Sequence, residues 1–162
     1  MKLIPIEVYQ QAALELSYDP ASRSCIRKNG KEVGTLDGSG YWLVRIGKGK
    51  GILLKCHRVV WFLHHGTVPP LIEHKDRNPS NNLITNLREA TVSQNRCNTP
   101  KHCDNTSGAK GVFWCKSTSK WMVKVCVNYK TYWGGRHADL ETAIAVATEL
   151  RNKLHGEYVN HD

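Results

Sequence analysis

An α+β chain in two parts is predicted by three features of the sequence. Between Lys120 and Asn128, Trp121, Val123, Val125 and Val127 alternate with Met122, Lys124, Cys126 and Asn128, the period of a strand with one buried face. From Asp139 to Leu154 the period changes, and Leu140, Ala143, Ile144, Ala147, Leu150 and Leu154 fall on one stripe of a helix. The run His57–His65 is long, apolar and closed by Gly66, as expected of a shorter helix with a glycine stop.

The remaining elements follow in order along the chain. Ile6, Tyr9, Ala13 and Leu16 fit a short amphipathic helix that Pro5 begins. Arg23 to Val33 reads as a hairpin turning at Asn29-Gly30. Tyr41–Ile46 is a strand by composition and alternation, the glycine- and lysine-rich loop after it is flexible and basic, and Ile52–Cys56 is a second strand. Pro69-Pro70 forces an extended path into Leu71–His74. Asn105–Gly108 has the composition of a linker, and Gly111–Cys115 and Lys130–Trp133 are strand-like runs either side of Lys120–Asn128. Asp139 is placed to cap the last helix and Gly156 to stop it. No internal repeat is present.

With 162 residues the chain has room for one ordinary domain or two small ones. Lys and Arg outnumber Asp and Glu 23 to 14, which makes a polyanion the natural partner. Placement says more than the total. Tyr41 to Val60 carries Arg45, Lys48, Lys50, Lys55 and Arg58 with no acid, and Lys101 to Arg136 carries Asp104 alone against Lys101, Lys110, Lys116, Lys120, Lys124, Lys130 and Arg136. Asp139 to Asp162 is net acidic. No apolar run approaches the roughly 18 residues of a membrane span, and the N-terminal stretch, with an early Pro and an internal Glu, is a poor signal peptide. The expectation is an intracellular, cytoplasmic protein with no membrane partner, whose six cysteines are reduced thiols.

Polar chemistry is densest between Ile72 and Asn98. Glu73 and His74 stand side by side on a short strand, followed by a loop with Asp76, Asn78 and Asn81-Asn82. A second short strand is expected around Leu83–Ile84, and then a helix from about Ser93 that offers Asn95. A carboxylate, a carboxamide and an imidazole brought together can hold a hard cation and activate a water. The plainer reading is an asparagine-rich loop that simply makes turns, with His74 a satisfied polar residue. Cys97, His102 and Cys103 lie close in sequence without paired C-x-x-C motifs or an obvious fourth ligand, so structural Zn²⁺ is not expected.

The pattern H-R-V-V-W…E-H-x-D-x-N-P-x-N-N-x-x-x-N-L-R-x-A-T-x-x-x-N, within about Tyr41 to Asn98, resembles the HNH nucleases with a ββα-metal finger, especially the phage homing-endonuclease branch. The resemblance implies a nuclease domain over residues 1–98 that hydrolyses phosphodiester bonds of double-stranded DNA with Mg²⁺ or Mn²⁺. By position, His74 is the general base, and Asn86 is the central asparagine that braces the loop and orients that histidine. Glu73, where the family usually has Asp, and Asn95 are the metal ligands. Arg88 adds a phosphate contact, and Arg45, Lys48 and Lys50 face DNA. His57 opens the preceding helix in a packing and capping role. A phage-encoded protein would act in the cytoplasm of its host cell.

The stretch from Asn105 to Gly156 resembles the Apetala/ethylene-response-factor type of DNA-binding domain, through Gly111-Val112, Lys120-Trp121, Val123–Val125, Gly134 and the Ala-rich helix. This implies a linker over 99–108 and a domain over 109–158, a three-stranded antiparallel sheet packed on one helix. Its outward face, with Met122, Lys124, Cys126 and Asn128, would meet duplex DNA. Lys116 and Lys120 would contact phosphates, and Lys130 and Tyr132 would face outward on the third strand. Two further readings stay open: a DNA-binding protein with a degenerate, non-cleaving HNH site, and an enzyme acting on RNA. Whether the chain is a monomer or a homodimer is not fixed by the sequence.

Overall fold

The structure, a computed structural model, describes residues 4–47, 49 and 51–161. Lys48 and Lys50, both expected at DNA, lie outside the described residues. Helices and antiparallel sheets alternate in an α+β arrangement that divides into two compact units, Met1–Ala90 and Thr91–Asp162. The segment 91–98 and the expected linker 99–108 both fall in the second unit.

In the first unit, helix α1 (Ile6–Glu15) starts behind Pro5 and buries Tyr9 and Ala12, with Leu16 following. The inward position is thus Ala12 rather than the expected Ala13, and Ile6 stays 44 % exposed. A helix stripe has two candidates per turn at i+3 and i+4, and packing selects one of them. Strands β1 (Leu16–Tyr18), β2 (Ile26–Lys28) and β3 (Lys31–Glu32) form an antiparallel sheet in that order. The expected hairpin turns at Asn29-Gly30, where both residues take positive φ (49° and 74°), as a type I′ turn requires. Strands β4 (Thr35–Leu36), β5 (Trp42–Ile46) and β6 (Ile52–Lys55) make a second antiparallel sheet. Helix α2 (Cys56–His65) ends where Gly66 adopts the left-handed conformation at φ 68°. Its buried face is Cys56, His57, Val59, Val60 and Phe62.

Strand β7 (Ile72–His74) pairs antiparallel with β8 (Leu87–Glu89), in the register Ile72↔Glu89, Glu73↔Arg88 and His74↔Leu87. The second strand therefore begins three residues beyond the expected Leu83–Ile84. Ile84–Asn86 is instead a single 3-10 turn, and Leu83 and Ile84 are apolar because they pack on the core.

In the second unit, α3 (Val92–Cys97) opens with a reciprocal capping box between Thr91 and Gln94. Ser107, within the expected linker, is buried and donates to the Val112 carbonyl at 2.9 Å, which makes this segment part of the packed unit. Strands β9 (Val112–Cys115), β10 (Lys120–Val127) and β11 (Lys130–His137) form an antiparallel sheet with β10 central. Helix α4 (Leu140–His155) covers one side, burying Ala143 and Ala147 against Val112 and Val123. Asp139 caps it by accepting from the Thr142 amide at 2.7 Å, and Gly156 ends it at positive φ.

The register decides which side chains share a face. A bulge between Val123 and Lys124 skips Gly134, so that Val123 pairs with Gly135 and Lys124 with Trp133. Lys130 and Tyr132 pair with Val127 and Val125, which places them on the helix side of the sheet, although both are exposed. The expectation that they face outward is corrected: a two-residue turn at Asn128-Tyr129 fixes this parity. Their place on the outward face is taken by Thr131, Trp133 and Arg136.

Gly134 sits where the bulge lets the helix approach closely. A Cβ there would lie 2.5 Å from Val123 Cγ1 and 3.0 Å from Val146 Cγ1. Gly134→Ala is expected to cost about 1–3 kcal/mol through overpacking, read as a lower urea midpoint at unchanged slope. An unchanged midpoint would show that the helix yields there freely.

Candidate active site

His74 ends β7 in the first unit and is buried. Its ring Nε2 lies 3.2 Å from the Asn82 side-chain oxygen, which can only accept, so Nε2 carries the proton and donates. Asn82 is 1 % exposed and is itself anchored, donating through Nδ2 to the Ser24 carbonyl at 3.2 Å. The His57 ring stands edge-on to His74 with centroids 5.0 Å apart, and the Tyr41 ring lies near both. Burial lowers the His74 pKa, and the charge of Lys55 adds to this, against opposing pulls from the Asn82 bond and Asp76. Burial drives His57 further down, to about 2, helped by His74, Lys55 and Arg58. Both imidazoles are therefore neutral near pH 7.

Asn86 closes the loop that follows His74. Its side-chain oxygen accepts from the Asp76 amide at 3.1 Å, while Nδ2 donates to Asp76 Oδ1 and to the Asn81 carbonyl, each at 2.9 Å. Its backbone carbonyl accepts from the Lys75 amide at 2.8 Å. Asp76 is the hub of this loop. Burial alone would raise its pKa, but hydrogen bonds from the Asn78 amide, Asn81 and Asn86 outweigh that and hold the carboxyl below its usual range. Bracing and orienting, expected of Asn86 together, are thus divided: Asn86 ties the loop and Asn82 touches the histidine. The sequence alone places Asn82 in the loop without a role. Its signal there is the doubled asparagine eight residues beyond His74.

Glu73 points to the opposite face of the β7–β8 ribbon from His74, as strand alternation demands. It is 3 % exposed, and Oε1 accepts from Arg88 Nε at 2.5 Å. Oε2 is buried without a hydrogen-bond partner. Arg88, expected at phosphate, is instead held in this cross-strand pair with its side chain 13 % exposed. Among the described residues no group of three or more His, Cys, Asp or Glu side chains is arranged to hold a metal ion. A cation at Glu73 would accordingly use the spare Oε2, with carboxamide oxygens, water and substrate completing its shell.

Arg45 is exposed on β5, and its guanidinium donates to the Gly51 carbonyl at 3.3 Å. In the second unit Asn95 is half-buried on α3. Lys116 is exposed in the turn after β9, and Lys120 and Lys124 are exposed on the outward face of β10. Lys124 Nζ lies 5.8 Å from the Phe113 ring and 5.9 Å from the Trp133 ring, so this face presents cations among exposed aromatics.

The histidine pair has a consequence for stability. His57 titrates at about 2 when folded, against about 6.5 when unfolded. Between these values the unfolded chain binds more protons, so stability rises with pH. The contribution is fully present above about pH 6.5 and is lost on acidification at up to ~1.4 kcal/mol per pH unit. His57→Phe is expected to flatten the decline of the unfolding free energy between about pH 6 and 4. A slope equal to the wild type's would show that His57 does not carry it.

A family model described as HNH endonuclease matches residues 54–97, from β6 through α3. Protein 3.8 of Escherichia phage T7 is 35 % identical over 104 residues, covering 63 % of this chain and 85 % of that protein. No solved structure gives a significant match. No helix among the described residues is long and apolar enough to cross a membrane. The chain is thus a member of the family of that phage protein, and it carries an HNH endonuclease domain at residues 54–97.

Proposed function

We propose that the chain is a metal-dependent endonuclease of the phage homing type that hydrolyses phosphodiester bonds of duplex DNA, with His74 as its general base. The observation that carries this reading is the held, neutral imidazole: Asn82 accepts from Nε2, and burial keeps the ring unprotonated near pH 7. A base in that state can take the proton of a water as its oxygen attacks phosphorus and the bond to the leaving 3′ oxygen breaks. Asn86 keeps the loop after His74 in one conformation through its hydrogen bonds to Lys75, Asp76, Asn81 and Leu83. Glu73, through Oε2, would help to hold Mg²⁺ or Mn²⁺, which when bound supplies positive charge to the scissile phosphate and the leaving oxygen.

The second unit's outward sheet face is proposed to hold the duplex, with Lys116, Lys120, Lys124 and Arg136 at phosphates. A second reading, a DNA-binding protein that does not cut, is favoured by one observation: Glu73 already gives Oε1 to Arg88.

Supercoiled-plasmid cleavage separates the two. Mg²⁺- or Mn²⁺-dependent nicking is expected from the wild type, with a loss of at least ~100-fold in His74→Ala, the scale of one general base. Activity that survives the substitution would refute the assignment of His74. No cleavage with any divalent ion, with duplex binding intact on a DNA panel, would establish the non-cutting reading. For the sheet face, Lys120→Ala with Lys124→Ala should weaken duplex binding on every sequence tested. It should also reduce the slope of log K against log salt by about 0.9 for each phosphate no longer neutralised. An unchanged slope in fluorescence anisotropy would move the DNA to another surface.

A further inference from the structure

The second unit contains a cleft of about 390 Å³ on the flank of its sheet, and its lining has a one-sided charge. Arg96, Lys110, Lys124 and Arg151 line it together with His155 and Cys97, and no Asp or Glu is among the described lining residues. Lys110 Nζ and Arg151 Nη2 both donate to a single backbone oxygen, that of Asn160. Arg151 is 7 % exposed, and its Nε is buried without a hydrogen-bond partner. A buried donor of a charged group left unpaired is costly, and an anion seated beside it would complete the bonding.

We infer that this cleft is a binding site for a phosphate group, seated against Arg151 and Lys110 and approached past Arg96 and Lys124. A tetrahedral anion offers acceptor oxygens in several directions, as donors converging from different elements require. The choice of phosphate over other anions rests on the reading of the chain as a DNA enzyme. The site itself is independent of His74. His155 reports on it from within the lining. Its Nδ1 lies 2.9 Å from the Cys97 sulfur, and its pKa is pushed down to about 4 by burial and then by Arg151, His161 and Lys110. A bound anion would offset the repulsion from those cations.

The test is an NMR titration of the full chain at constant ionic strength, following the His155 ring. The ligands are inorganic phosphate, the dinucleotide dTpdT and its 5′-phosphorylated form, with acetate as control. Saturable His155 shifts with a phosphate-bearing ligand are expected, together with a rise in the pH at which His155 titrates. The apparent affinity read from both should fall at least ~10-fold in the Arg96→Gln, Lys110→Gln double variant, because two charged donors are lost. A response to unphosphorylated dTpdT assigns a backbone phosphate, and a response confined to the other two assigns a terminal or free one. Either outcome supports the site. Equal shifts with acetate, shifts undiminished in the double variant, or no shift with any ligand would overturn it. Because this variant leaves Arg151 in place and alters partly or fully exposed side chains, its fold can be checked by the same spectra. Plasmid cleavage by the wild type, scored separately, shows whether the nuclease reading fails on its own.

Discussion

The first unit's site depends on asparagine side chains that take the place of secondary structure. Between β7 and β8 the chain runs for twelve residues with a single 3-10 turn. A loop of that kind is held only if its polar backbone finds partners. Asn86 supplies four of them, for the Lys75 and Asp76 amides and the Asn81 and Leu83 carbonyls, and Asn82 spans from His74 to Ser24, which lies 58 residues before it in the chain. The carboxamide suits this work because one flat group both donates and accepts without a charge that must be neutralised on burial. Asn82, almost fully enclosed, could not be an aspartate at the same cost. Through it the β1–β2 region is joined to the histidine whose protonation state matters.

Burial of two imidazoles near one another has the same logic. Each positive charge would raise the cost of the other, and Lys55 and Arg58 add to that cost. Neutrality is therefore set by position. It follows from α2 delivering His57 and β7 delivering His74 to the same enclosed volume.

These arrangements were legible in the sequence to different depths. The helices, the Asn29-Gly30 turn, Gly66 as a stop and Asp139 as a cap were readable because each is decided within a few residues by periodicity or by one side chain's preference. Strands β1 and β4 were not, since two- and three-residue strands carry no period and exist only through their partners. The pair Glu73-His74 was visible, as was Asn86. What the sequence could not disclose is that Arg88 lies across from Glu73, a fact of register, or that Asn82 rather than Asn86 meets the imidazole. In the second unit the faces of β10 were readable from alternation, but those of β11 depended on the turn before it. Asn128-Tyr129 does not announce a type I′ turn, because tyrosine at positive φ is strained. The Gly134-Gly135 pair was the available sign of the bulge.

Arg88 governs what Glu73 can do. A buried carboxylate is tolerable only when paired, and removing its partner leaves a charge that costs about 3–5 kcal/mol. The guanidinium thus anchors the Glu73 carboxyl inside the β7–β8 ribbon through Oε1 and leaves Oε2 over. The same guanidinium repels a divalent cation placed on the other oxygen. A cation held there would gain less from Glu73 than from an unpaired carboxylate, and would depend correspondingly more on oxygens brought by DNA. A scissile phosphate would supply both negative charge and acceptor atoms, so that metal and substrate would reinforce each other as ligands at this position. If Glu73 is the metal ligand proposed above, the cross-strand pair would leave the metal weakly held until DNA arrived.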